Sequence, residues 1–378
     1  MHILLVSHYA PPYQGGIQFV VGALACEYAA AGHRVTILAS DVGESGHPDA
    51  QIVRVPAWNG MERAGIPFPV FAPFALRRAL RRLFDIEAVD AVHAHGMLYL
   101  SSVAAAIMAR RRGIPVVLTE HVGAVDYHNP AINAAQSLAI ATLGRLTCRN
   151  SDAVVVLNAR VVAEMRSLMR RAAEPLKIAN GVDTRAFSPP NANERAAYRA
   201  RWQFTRPTAL FVGRLVSKKG ADIVLDAAAQ HQTVDYVLCG KDTERLDGAH
   251  PNVRGLGGID QAALPSLYGA ADALILPSES EGFPLVVQEA LACGLPVIVT
   301  DNAVNREYLD ESVAVLVARA ADAIRAALDA LLTDDARRLA MGAAARAWAV
   351  REYDWRITAA RYLMLFDSPA PLGEEGRG

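Results

Sequence analysis

Short runs of Val, Ile and Leu alternate with helix-length stretches almost from one end of this chain to the other. Ile3–Val6, Arg34–Ala39, Ala91–His93, Val116–Thr119 and Ala153–Leu157 are near-continuous apolar runs with polar residues at their C-terminal edges. That is how strands buried on both faces of a parallel sheet read. Gln18–Ala30, Ala72–Phe84, Ser101–Arg112 and Ile132–Arg149 read as the helices between them. Strand–helix repetition of this kind predicts a doubly wound α/β sheet.

A second series runs through Thr208–Val212, Tyr236–Cys239, Ala273–Leu276, Pro296–Val299 and Ala314–Val317. At 378 residues the chain exceeds one ordinary core and fits two Rossmann-like domains. The Asn- and Pro-rich segment NGVDTRAFSPPNANERA between the series is the expected hinge. We therefore expect a first domain over 1–185 and a second over 186–350. The helix 355–366 is expected to cross back to the first, ahead of a loose tail over 367–378. Two such domains facing one another would line a cleft with the C-terminal ends of both sets of strands, where open α/β sheets bind ligands.

The net charge of −1 gives no reason to expect nucleic acid as a partner. Cys26, Cys148, Cys239 and Cys293 lie far apart in apolar runs, so they read as buried, reduced thiols of a cytoplasmic protein. The opening MHILLVSHYAPP reads as a strand rather than a secretory leader, and no apolar run reaches membrane-spanning length.

Chemistry concentrates in a few segments. In ESEGFPLVVQEALACG, Gly282-Phe283-Pro284 opens a helix, with Pro at an entry position suited to it. Free amides there, with the helix dipole, favour an anion such as diphosphate. Glu289, inside the helix, can accept hydrogen bonds from both hydroxyls of a ribose, and Glu281 can reach a sugar. The alternative is a helix start bearing surface glutamates. In FVGRLVSKKGADIVLDA, Arg214 and Lys219 project from the turn after a strand and suit a leaving diphosphate. The segment lacks the glycine run of a Walker loop. In PPYQGG, Gly15 and Gly16 permit close backbone approach to a ligand. In DAVHAHG, His93 and His95 share one side of a strand; without a third ligand nearby, zinc is discounted. Glu120, His121, Asp126 and His128 follow the next strand, where a polar cluster would line an acceptor pocket, with His121, Asp126 and His128 as its candidates; Asp126 and His128 read equally as satisfied loop residues.

With these segments in this order, the chain resembles the family-4 retaining glycosyltransferases of the GT-B fold, from about residue 1 to residue 366. The segments PPYQGG, VHAHG, NGVDTRAFSP, VGRLVSKKG, AADALILPS and EGFPLVVQEALACG carry the resemblance. It implies that Arg214 and Lys219 hold the donor diphosphate and that Glu289 holds the ribose. Glu281 would lie near the transferred sugar, with backbone at Gly282, Phe283, Pro284 and Leu285 completing that pocket. His95 would lie near the anomeric centre, and Gly16 in a loop that closes over the donor. It also implies that no metal or other cofactor is required, the nucleotide-diphosphate sugar being a co-substrate. Two departures stand out. Ala303 and Val304 occupy positions where Gly-Gly is common, while Glu307 is kept, and Asn158 replaces a common serine.

The expected reaction transfers a sugar to an acceptor hydroxyl by same-face attack, in bacterial-type glycan, glycolipid or glycoconjugate synthesis. The acceptor is a sugar, a lipid-linked sugar or a small molecule. The loops around Gly240–Lys241, Arg254–Gly257 and Asp126–Asn129 would select base, sugar and acceptor. The rivals are an epimerase or phosphorylase on the same plan and an inactive sugar-nucleotide binder. A phosphorylase of this fold needs a pyridoxal-phosphate lysine, and none of the four lysines here is placed for one. Lastly, PVFAPFALRRALRRLFD sets Leu76, Leu80, Leu83 and Phe84 along one helical face and Arg77, Arg78, Arg81 and Arg82 along another. Such a helix either lies on the inner face of a membrane or packs its stripe onto the first sheet.

Overall fold

The computed structural model describes residues 1–11, 15–43, 46–64, 68–125, 127, 129–169, 174–279 and 283–367. The chain forms two compact units, Met1–Ala179 together with the chain from Thr358, and Asn180–Ile357. The division falls at the head of the Asn- and Pro-rich segment. That segment is tied into the second unit: Val182 bridges to Asp354, and Thr184 donates to the Asp354 carboxylate.

The first unit's strands are β1 (His2–Val6), β2 (Arg34–Ser40), β3 (Gln51–Val55), the small pair β4 (Ala57–Trp58) and β5 (Val70–Phe71), then β6 (Ala91–His95), β7 (Val116–Glu120), β8 (Ala153–Val156) and β9 (Leu176–Lys177). The main sheet is parallel, in the order β3-β2-β1-β6-β7-β8-β9. The order of strand addition reverses between β1 and β6, so the crossover helices diverge there and leave the carboxyl ends of that pair uncovered. Helices α1 (Gly16–Ala30), α2 (Pro73–Asp85) and α3 (Leu100–Arg110) connect these strands. In α2, Leu76, Leu80, Leu83 and Phe84 are buried in the core of the first sheet. Burying each contributes about 1.5–3 kcal/mol. The apolar stripe considered for a membrane is therefore already occupied, while Arg77, Arg78, Arg81 and Arg82 remain exposed.

The second unit contains β10 (Thr208–Val212), β11 (Asp235–Cys239), β12 (Val253–Gly257), β13 (Ala273–Leu276), β14 (Val297–Thr300) and β15 (Ala314–Val317). Its parallel sheet has the order β12-β11-β10-β13-β14-β15, with the reversal between β10 and β13.

One device recurs at the opposite ends of these strands. Asp90, just before β6, accepts from the His2 amide that starts β1 (2.6 Å). Asp152, before β8, accepts from Val116 at the start of β7 (2.9 Å). Asp272, before β13, accepts from Thr208 at the start of β10 (2.8 Å), and its oxygens also receive Arg195 and Arg199 (2.7 and 3.1 Å). A carboxylate thus satisfies the first amide of the neighbouring strand, which the parallel ladder would leave unpaired. Each reversal pair is pinned by one.

Of the cysteines, Cys148, Cys239 and Cys293 are buried as expected, whereas Cys26 is exposed on α1. No helix among the described residues is long and apolar enough to cross a membrane.

Candidate functional site

In the second unit two loops leave the reversal pair β10 and β13, and the fold stitches them together. The Glu279 amide donates to Lys218 O (2.8 Å). Arg319 donates to Pro277 O (3.0 Å) and to Ser217 O (2.9 Å). Gly220, at φ +76°, lies so close to Pro277 O that a Cβ would stand 2.5 Å from it. Gly240, at φ +137°, closes the other flank, where a Cβ would stand 2.1 Å from Gly213 O. Only glycine fits those two positions without moving backbone. Arg214 is exposed and Lys219 partly buried on the first loop, beside the exit of β13.

The second loop leads to the helix Leu285–Ala292. Pro284 occupies its N-cap and Leu285 its first turn, one residue later than the sequence reading placed the helix start. The Phe283 ring is buried, stacked on Tyr308 (4.7 Å between centroids) and against Tyr353 (4.9 Å). It anchors the loop and leaves only backbone toward a ligand. Glu289 is buried one turn inside, and its Oε2 accepts from the Tyr268 hydroxyl (2.7 Å). Burial, partly offset by that hydrogen bond, pushes Glu289 up to about 7. Gln288, fully buried, donates to Asn180 O and Gly181 O (2.8 and 3.2 Å) with its amide nitrogen turned toward them. Glu281 and Gly282 lie outside the described residues.

The first unit gathers histidines at the carboxyl ends of β1 and β6. His95 Nδ1 lies 3.0 Å from His121 Nε2, and the rings stack. His95 Nε2 is buried without a hydrogen-bond partner among the described residues. His8, just past β1, stacks on Tyr99 (4.1 Å) and meets the Gln18 amide (3.0 Å). His93 does share a side with His95, their rings 4.3 Å apart. Its nitrogens, however, meet Tyr28 Oη (3.1 Å) and Thr119 Oγ1 (2.8 Å), and Thr119 donates on to Tyr362 Oη in the last helix. His93 is a satisfied core residue.

Glu120 is buried. Its carboxylate accepts from the amides of Met97, Val122 and Gly123 (2.9, 3.1 and 3.2 Å), fixing the loop that carries His121. Asp126 and His128 lie outside the described residues. Gly16 opens α1, and a Cβ there would meet no atom of the described residues within 4 Å.

The sequence reading missed Tyr268, whose ordinary helical setting hides its contact with Glu289. It also missed the meeting of Cys26, His47 and Asp49 on the back of α1. There His47 Nε2 lies 3.0 Å from Gly22 O, while Nδ1 accepts from the Asp49 amide (3.2 Å). Both ring nitrogens are thus used in tying the loop after β2 to α1.

Burial lowers His8 and His93 to about 3, His121 to about 4 and His95 well below its usual range. These rings are neutral when folded and take up protons on unfolding below about 6.5. Each therefore withdraws at most about 1.4 kcal/mol of stability per pH unit as pH falls through that region. Glu289 behaves oppositely: its folded form binds a proton at about 7, above the range of a free glutamate, so acidification favours its folded form. Hydrogen exchange from pH 7 to about pH 5 is expected to show β6 and β7 losing protection ahead of β13 and the helix Leu285–Ala292. Equal loss in both units would contradict the histidine account.

The chain is similar to known glycosyltransferases in sequence and in fold. The family described as Glycosyltransferase Family 4 matches residues 14–186, and Glycosyl transferases group 1 matches residues 194–348. The D-inositol 3-phosphate glycosyltransferase of Xylanimonas cellulosilytica is 30% identical, over 84% of this chain and 82% of that protein. A GDP-mannose-dependent alpha-(1-6)-phosphatidylinositol monomannoside mannosyltransferase of Mycolicibacterium smegmatis is 27% identical, over 95% of this chain and 96% of its own. Among solved structures, Anabaena HepE in complex with UDP-glucose superposes with a TM-score of 0.75 at 18% identity, covering 97% of this chain and 100% of that one. The chain belongs to glycosyltransferase family 4, with the two Rossmann-like domains of the GT-B fold, and is a glycosyltransferase.

Proposed function

We propose that this enzyme transfers a sugar, with retention of configuration and without a metal, from a nucleotide-diphosphate sugar to an acceptor hydroxyl. The observation that carries the reading is the stitching of the Arg214–Lys219 loop to the loop before Leu285 at the second sheet's reversal. In this reading Arg214, Lys219 and the free amides at Leu285 hold the diphosphate. Glu289 holds the ribose, and Glu281 with the backbone at Gly282–Leu285 holds the sugar. His95 serves the anomeric centre, His121, Asp126 and His128 serve the acceptor, and Gly16 serves the donor. A UDP-glucose complex in one similar protein and GDP-mannose in the name of another support a nucleotide-sugar donor.

Negative charge grows on the diphosphate as the anomeric C–O bond breaks, and fixed cations stabilise charge that develops late. The acceptor oxygen bonds to the anomeric carbon on the face the diphosphate leaves, and its proton passes to a leaving phosphate oxygen. Glu120, spent on three backbone amides, is not a nucleophile for a double displacement. Fixed cations and helix amides meet the charge that a divalent ion would otherwise neutralise.

The relatives' names support a lipid-linked or inositol-type acceptor. For such an acceptor we propose contact with an anionic membrane surface through Arg77, Arg78 and Arg81. Phe74, 88% exposed, stands beside them, and a groove of about 750 Å³ opens between α2 and α3. Arg82 is paired with Glu87.

Arg214→Ala or Lys219→Ala should leave the protein folded and weaken donor binding by roughly 1.5–3 kcal/mol each. Activity should persist in EDTA. Near-wild-type kinetics in both variants, or loss in EDTA restored by a divalent ion, would overturn the donor site or the metal-free reaction respectively. In vesicle sedimentation at low salt, the protein should bind anionic but not zwitterionic vesicles, each arginine contributing about 1 kcal/mol. Binding unchanged after Arg77, Arg78 and Arg81 are replaced by Gln would remove α2 from the contact.

A further inference from the structure

Tyr268 and Glu289 form a buried pair with one oxygen left over. The Tyr268 hydroxyl donates to Glu289 Oε2 at 2.7 Å, and Tyr268 is fully buried. The Phe187 ring meets Tyr268 edge-on at 5.9 Å, and Gln288 grips the Asn180 and Gly181 carbonyls beside it. The remaining oxygen, Oε1, accepts from none of the described residues. A buried carboxylate with one oxygen engaged and the other unoccupied is set for one outside ligand.

We propose that Tyr268 is a positioning residue for the donor, holding the Glu289 carboxylate in the rotation that offers Oε1 to the ribose diol. The inference rests on the reading that Glu289 binds the ribose. Among the described residues, the ionisable groups that interact with Glu289 are Tyr268 itself, Cys239 at the end of β11 and Cys293 at the helix end. Burial raises all three, so each is neutral over the working range. Glu289 is therefore the group whose charge changes near neutrality. Burial raises it and the Tyr268 hydrogen bond lowers it, so losing the hydroxyl raises it further.

The test titrates whichever of UDP, GDP and ADP wild type binds most tightly, from mildly acidic to mildly alkaline pH, with donor KM and kcat alongside. Wild-type affinity should rise with pH through about 7. In Tyr268→Phe the same rise should sit at higher pH, with affinity at neutral pH lower by about fivefold to tenfold. Donor KM should carry the change, with kcat restored at alkaline pH. Placing 3-fluorotyrosine at 268 keeps the volume and strengthens the donor, so the rise should move to lower pH even if Tyr268→Phe folds poorly. In Glu289→Gln affinity should be weak and independent of pH.

A Glu289→Gln protein that binds like wild type would overturn the ribose reading itself. A weak Glu289→Gln protein, with Tyr268→Phe and fluorotyrosine profiles superposed on wild type, would leave that reading standing and overturn the role of Tyr268.

Discussion

The structure depends on one topological constraint, the reversal of winding in a parallel sheet. Crossover helices on either side of the reversal diverge, and the carboxyl ends of two adjacent strands are left uncovered. In the first unit these are β1 and β6, and His8 and His95 stand there. In the second they are β10 and β13, and the turns bearing Arg214 and Lys219 and leading to Phe283 leave from them. Asp90 and Asp272 pin the amino ends of the same pairs. Each reversal is thus fixed at one end and open at the other, and the candidate site residues stand at the open end.

Polar groups at these ends are held at a cost in solvation. Four histidines sit where burial keeps them neutral, and His95 Nε2 is left without a partner among the described residues. Glu289 is buried with a single side-chain hydrogen bond among the described residues. An unpaired buried polar atom costs roughly 1–3 kcal/mol, and sites that bind ligands commonly carry such groups. The surrounding structure is correspondingly rigid. Glu120 takes three amides, Arg319 takes two carbonyls, and Gly220 and Gly240 admit backbone to near contact.

Much of this was legible in the sequence because parallel sheets announce their central strands. All the runs read as strands proved to be strands, within a residue or two at their ends. Of the missed strands, β3, β9 and β12 lie at sheet edges and are partly exposed, so they lack a continuous apolar run, and β4 and β5 are only two residues long. The helix expected over Ile132–Arg149 is interrupted by a π turn at Ile140–Gly144. Its first segment, Pro130–Ala139, buries no residue, so periodicity there had little to report. The α2 stripe was read correctly as amphipathic, but a pattern alone does not say whether core or lipid covers it. Glu120 looked like a site residue because a carboxylate after a strand carries no mark of the amides it will meet. One signal was present and unused: Asp90, Asp152 and Asp272 each precede Ala and then a strand, and each pins a neighbouring strand.

The central claim is that the second unit's reversal holds the donor nucleotide. A crystal structure of the full chain with the tightest-binding nucleoside diphosphate tests it most directly. The account predicts diphosphate oxygens within hydrogen-bond distance of Arg214, Lys219 and the Leu285 amide, with ribose hydroxyls on Glu289 Oε1. Nucleotide bound instead among His8, His95 and His121 of the first unit would contradict it.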